Sequence, residues 1–64
     1  MSESDKYLCE HLLRYGEIIR DEEFASGEGK YYRHYQILYN GYKWTVSKLN
    51  GEWIYVNVSN RKVV

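Results

Sequence analysis

Two Asn-Gly pairs, Asn40-Gly41 and Asn50-Gly51, constrain the fold of this chain more than any other feature of its sequence. Asn-Gly supplies the two positive-φ positions of a type I′ turn, whose twist matches that of the antiparallel strands it joins. The two pairs are flanked by residues typical of strands, rich in tyrosine, tryptophan and valine. They therefore predict a three-stranded antiparallel meander with strands at residues 31–39, 42–49 and 52–58.

Two-residue turns also define the register of the strands, and hence which side chains share a face. The turns predict that Ile37 lies opposite Trp44 and that Tyr35 lies opposite Val46. Val46 is expected in turn to lie opposite Tyr55. One predicted face is then mostly apolar or aromatic, with Trp44 at its centre, and it is the face expected to pack against a helix.

The helix is predicted near the N-terminus. Leu8, Leu12, Tyr15 and Ile19 follow one another at spacings of four, three and four residues, which places them on one helical face. Ser2, Ser4 and Asp5 are all suitable N-caps.

The end of this helix has two interpretations. It ends at Gly16, which leaves residues 17–24 free to form a short edge strand, or it continues through Gly16 and ends before Ser26-Gly27. The position of Ile19 on the apolar stripe favours the longer helix.

The expected fold class is α+β, with an amphipathic N-terminal helix packed on the meander, in one small domain spanning residues 1–64. Charge divides the chain in two. Residues 1–29 hold eight acidic and three basic residues, and residues 30–64 hold six basic and one acidic. Residues 1–24 form an acidic helical segment, and residues 30–58 form a basic meander rich in aromatic side chains.

A chain of 64 residues scarcely encloses a pocket that excludes water, so we expect no catalytic residues and no cofactor. Cys9 and His11 are two residues apart and point to different sides of a helix, so we expect no metal site. A single cysteine without a disulfide framework is typical of the cytoplasm. The sequence contains no run of about 18 apolar residues, so no membrane span is predicted.

The leading functional hypothesis is a binding protein that occupies a protein partner, as a regulator or inhibitor. The predicted register turns an apolar row outward on the last strand, and that strand is an open edge of the meander. Two copies pairing at this edge would form a homodimer. The competing arrangement has residues 17–24 or the tail at 61–64 fold back over the row. The predicted partner-binding residues are Ile54, Val56 and Val58.

The alternative hypothesis is nucleic-acid binding. Residues 30–35, Lys-Tyr-Tyr-Arg-His-Tyr, alternate cations with rings, as in surfaces that bind single strands by stacking and phosphate contact. The basic excess is small and the isoelectric point is about 6.7, which favours the protein-partner hypothesis. The residues predicted for nucleic-acid binding are Tyr31, Tyr32, Arg33, Lys43 and Lys48.

Overall fold

A computed structural model describes residues 1–62, which form one helix followed by a four-stranded antiparallel sheet. The elements in chain order are α1 (Glu3–Tyr15), β1 (Glu17–Ala25), β2 (Tyr31–Tyr39), β3 (Tyr42–Leu49) and β4 (Glu52–Val58). The strands lie in the order β1-β2-β3-β4, so each one is hydrogen-bonded to its neighbours along the chain. The predicted α+β class and the bounds of the last three strands are confirmed.

The two Asn-Gly pairs form the turns expected of them. Asn40 and Asn50 have φ of 53° and 49°, and the glycines that follow them have φ of 79° and 85°. Consecutive positive φ values are the signature of a type I′ turn, which only Asn, Asp and Gly adopt at little cost.

Helix α1 is capped at both ends. Ser2 is the N-cap, and its Oγ accepts a hydrogen bond from the Asp5 amide at 3.2 Å. At the other end the Gly16 amide donates to the Leu12 carbonyl at 2.8 Å, and the chain becomes extended. The longer helix favoured by the sequence pattern is therefore wrong, and the shorter alternative with an edge strand is correct.

Gly16 explains why the helix ends here. A Cβ at this position would overlap the Cγ2 of Ile37 and would lie 2.7 Å from the Leu12 carbonyl oxygen. Only glycine lets the backbone pass this close to the sheet. The β-branched pair Ile18-Ile19 then favours a strand, and Ile18 pairs with Ile37 of β2.

The helical face that packs on the sheet differs from the predicted stripe in its second half. Cys9 and Leu12 are fully buried, whereas Tyr15 is 64% exposed. Ile19 lies beyond the helix end, in β1, and is also exposed. Tyr15 is outside the core because the helix packs through Cys9, Leu12 and the close approach at Gly16.

The core combines two helical residues with four from the sheet: Cys9, Leu12, Tyr35, Ile37, Val46 and Trp53. Trp44, predicted to be its centre, is only partly buried and packs against the core from outside. Trp53 takes the position under the helix instead. Its Nε1 donates to Glu10 Oε1 at 2.8 Å, and Lys48 Nζ lies 4.4 Å from its ring centroid.

The register between β2 and β3 is as predicted, but the register between β3 and β4 changes within the strands. Ile37 lies opposite Trp44 and Tyr35 lies opposite Val46, whereas Val46 lies opposite Val56 and not Tyr55. The shift occurs at Ile54, which has no partner in β3. Such a β-bulge adds one residue to a strand and moves every later side chain to the other face.

The bulge contradicts the predicted outward row of Ile54, Val56 and Val58. Val56 and Val58 lie opposite Val46 and Trp44, on the helix-facing side, and Val56 packs against the core. Of the three, Ile54 alone is exposed, at 47%. Residues 17–24 do not cover these side chains, because β1 lies at the opposite edge of the sheet. The expectation for the tail at 61–64 falls in part on Val63 and Val64, which lie outside the described residues.

We predict that Val56→Lys destabilises the protein by about 1–3 kcal/mol, because it places an ammonium against an apolar core. The matched change Ile54→Lys alters stability by no more than about 0.5 kcal/mol, because residue 54 is exposed at the bulge. Urea unfolding followed by tryptophan fluorescence measures both. Equal stability of the two variants would contradict this register.

We also predict that Gly16→Ala destabilises the protein by about 1–3 kcal/mol, since the added methyl group forces α1 away from Ile37. Gly27→Ala is the control, because a Cβ at Gly27 meets nothing within 4 Å. The same unfolding assay compares them. If Gly16→Ala were as stable as the control, the close approach would not be what ends the helix.

Candidate partner-binding surfaces

The helix covers one face of the sheet and leaves the opposite face uncovered within residues 1–62. We call the uncovered side the open face. Residues directly opposite each other on neighbouring strands share a face, so the ladder registers assign its members. They are Glu17, Arg20, Glu22 and Phe24 of β1, Tyr32, His34, Gln36 and Leu38 of β2, Lys43, Thr45, Ser47 and Leu49 of β3, and Glu52, Tyr55 and Asn57 of β4.

A row of rings runs along the open face. The Phe24 and Tyr32 ring centroids lie 6.3 Å apart, and the Tyr32 and His34 rings are stacked at 6.1 Å with an interplanar angle of 6°. His34 Nδ1 is hydrogen-bonded to Ser47 Oγ at 2.6 Å, and Tyr55 lies opposite Ser47 on the next strand. These contacts restrict the rotation of the rings, so the surface is partly ordered before it meets a partner.

The open face carries little net charge. Its two cations are Arg20 and Lys43 and its three carboxylates are Glu17, Glu22 and Glu52, which leaves one negative charge in excess. Arg20 is already ion-paired with Glu22. The other polar members are uncharged amides and hydroxyls, which favour hydrogen bonding over attraction to a strongly charged partner.

Strand β1 forms a second surface. All nine of its residues are exposed, and no strand within residues 1–62 pairs with its outer side. The strand carries four carboxylates and a single cation. We call its outer side the acidic edge.

Arg33 of β2 partly neutralises this strand from the helix-facing side. Its Nε and Nη2 donate to the two carboxylate oxygens of Asp21 at 3.0 and 2.8 Å, and Nη1 lies 3.6 Å from Glu23. This hydrogen bonding lowers the pKa of Asp21 below its usual value. Glu23 hydrogen-bonds the Tyr31 phenol and raises its pKa. The Arg33 charge is thus engaged within the chain.

The residues predicted for nucleic-acid binding do not form one surface. Tyr32 and Lys43 lie on the open face, whereas Arg33 and Lys48 lie on the helix-facing side. Tyr31 shares that side, because its phenol is bonded to Glu23 beside Arg33. Lys48 packs over the Trp53 ring.

The sequence analysis missed Phe24 and Tyr55 on the open face, and the acidic edge as a whole. Phe24 is 61% exposed and Tyr55 is 46% exposed. The predicted register places Tyr55 on the core face, because no turn residue marks the bulge at Ile54. The β-branched pair Ile18-Ile19 is the one sequence signal that favours a strand at residues 17–25.

The groups capable of chemistry are scattered. His11 Nε2 is hydrogen-bonded to the Tyr39 hydroxyl at 2.7 Å. Residues 1–62 contain no group of three or more potential metal ligands. No helix in the described part of the chain is long and apolar enough to cross a membrane.

Cys9 is a free thiol under the helix. Burial, followed by the nearby carboxylates of Asp5 and Glu10, raises its pKa to about 11. A thiol with this pKa is protonated at neutral pH and is a poor nucleophile. Its role in the described structure is to fill the core.

Comparison of the chain with protein-family models, with curated proteins and with solved structures gives no match.

We predict that native Cys9 reacts at least about a hundredfold more slowly with a thiol reagent at pH 8 than the urea-unfolded protein does, because a pKa about two units higher leaves that much less thiolate. The same shift makes the folded state lose stability as the pH rises from 9.0 towards 11, since the unfolded thiol ionises first. Cys9→Ala is the control, because it removes this part of the pH dependence. Equal reaction rates in the folded and unfolded protein would contradict the burial of the thiol.

Proposed function

We propose that this protein is a small non-enzymatic binding protein that acts by occupying a protein partner, and that the open face is the surface it uses. The observation that carries the proposal is the row of Phe24, Tyr32 and His34 on an uncovered sheet face, with Tyr55 beside it. Tyrosine supplies a large contact area at low conformational cost, and serine and asparagine supply adaptable hydrogen bonds. Surfaces of this composition are typical of protein recognition.

A regulator or inhibitor acts by covering a surface of its partner, and the open face is suited to that task. It extends across four strands, so its area is adequate for a protein interface, which takes about 800 Å² from each partner. We propose that the protein acts in the cytoplasm, because Cys9 is a free thiol and reducing compartments keep thiols in that form.

Nucleic-acid binding remains the second candidate, supported by the stacked Tyr32 and His34 rings. Its electrostatic support is weaker, because affinity for a phosphate backbone depends on several free cations. The open face has no net positive charge, and Arg33 is paired with Asp21 and Glu23. The protein-partner function is therefore the better supported of the two.

The test is site-specific photo-crosslinking in the cells that produce the protein. We expect a benzophenone side chain at position 55 or 32 to give adducts that protease removes and nuclease does not. The control position is 7, because Tyr7 is 76% exposed on the helix, away from the open face. Adducts of equal yield at position 7, or adducts removed by nuclease, would contradict the proposal.

Substitution provides the second arm of this test. Tyr55→Ser is expected to weaken partner capture about tenfold, because tyrosine is enriched among the interface residues whose truncation costs more than about 1 kcal/mol. Tyr7→Ser is the matched control and leaves capture unchanged. Circular dichroism of both variants confirms that the fold is retained, so that a loss of capture reports on the surface.

A further inference from the structure

The acidic edge is a surface separate from the open face, and it consists mainly of backbone. Strand β1 pairs with β2 on one side, and within residues 1–62 no strand pairs with the other. The outer side of such a strand presents a row of amide donors and carbonyl acceptors. An extended segment of another chain satisfies these groups by adding a strand to the sheet.

The irregular part of β1 lies at its start. The register shifts between Ile18 and Arg20, and Ile19 has no partner in β2. From Arg20 to Ala25 the pairing with β2 is regular over six residues. Bulges, prolines and charged side chains are the usual means by which proteins protect an edge. This regular part contains no bulge and no proline, so its protection is charge, which repels a strand of like charge and attracts one of opposite charge.

The charges of β1 indicate which kind of strand it accepts. Asp21 and Glu23 point to the helix-facing side and Glu22 points to the open face, so both sides of the edge are acidic. The strand carries Glu17 and these three carboxylates against Arg20. When the charge of Arg33 is added to those of β1, the five charged residues of the strand and Arg33 together have a net charge of −2. Opposite charges on directly facing residues stabilise a strand pair, and like charges destabilise it.

A second copy of the chain is a poor occupant by the same reasoning. Matching side-chain faces allows antiparallel pairing of two β1 strands about a two-fold axis at Asp21, which would place Asp21 opposite its own counterpart. Arg20 would face Glu22 of the other copy. Each copy of β1 nevertheless has more carboxylates than cations, so the two strands would repel each other. A basic partner strand meets no such repulsion.

We propose that β1 binds an extended basic segment of a partner protein by strand addition at Arg20–Ala25. Backbone hydrogen bonds supply the geometry, and lysine or arginine side chains of the segment lie across from Asp21, Glu22 and Glu23. The interaction weakens as ionic strength rises, because these charges are exposed. Its backbone contacts are separate from the open face, and of its three carboxylates only Glu22 belongs to both surfaces.

The probe is a six-residue peptide with the sequence lysine-lysine-valine repeated twice and blocked ends, which places lysines on both sides of an extended strand, titrated into the ¹⁵N-labelled full-length protein. We expect saturable amide shifts confined to β1 and its β2 neighbours, with a dissociation constant below about 1 mM. The acidic counterpart, with glutamate in place of lysine, is expected to give no shifts. The lysine–valine peptide methylated on all of its backbone nitrogens keeps the charge, loses the hydrogen-bond donors of both of its edges and is also expected not to bind.

Paired variants test the role of charge. Glu22→Gln with Glu23→Gln is expected to weaken binding about fivefold or more, because two facing charge pairs are lost. Glu3→Gln with Asp5→Asn removes the same charge in the first turn of α1, away from β1, and leaves the affinity within about twofold.

Four results would overturn the proposal: shifts spread over the whole surface, equal binding of the methylated peptide, equal weakening by the control pair, or a dimer formed through β1 without peptide. Sedimentation of the free protein detects the last of these. Crosslinking at position 55 tests the open face separately, so failure of the peptide experiment leaves the proposed function standing or falling on its own data.

Discussion

The contact between α1 and β2 at Leu12, Gly16 and Ile37 is the constraint on which the rest of this structure depends. Leu12 and Ile37 are fully buried, and Gly16 brings the backbone against the Ile37 side chain. In so small a core each buried side chain is a large share of the total stability. The same contact ends the helix and directs the chain into β1, so it also creates the acidic edge and extends the open face.

Two β-bulges, at Ile19 and Ile54, determine which side chains are available to a partner. Each one reverses the face on which later residues of its strand lie. The bulge in β4 turns Val56 towards the core and Tyr55 towards the open face. A strand that would otherwise present an apolar row thus contributes to the core and to a tyrosine-rich surface at the same time.

The opposite charges of the two halves of the chain are partly satisfied inside the molecule. Arg33 from the basic half binds Asp21 and Glu23 from the acidic half, and Glu10 accepts a hydrogen bond from Trp53. What remains is distributed unevenly, since the open face has one excess negative charge and β1 together with Arg33 has two. The net charge of each separate surface indicates which partners that surface can attract, whereas the net charge of the whole chain, which is zero, does not.

Local chemistry in the sequence was sufficient for the hairpins: Asn-Gly prefers positive φ in any context, so the bounds of β2, β3 and β4 and the β2–β3 register follow from it. The helix start at Ser2 is local in the same sense. Tertiary structure decided where the helix ends, which tryptophan lies beneath it, and which face each residue after Ile54 occupies. Those outcomes depend on contacts between residues distant in sequence, Gly16 with Ile37 and Glu10 with Trp53. They also depend on the bulge at Ile54, which no glycine, proline or other turn residue marks in the sequence. The binding surfaces depend on these tertiary contacts, because the exposed face of the sheet is defined only when the opposite face packs against the helix to form the core.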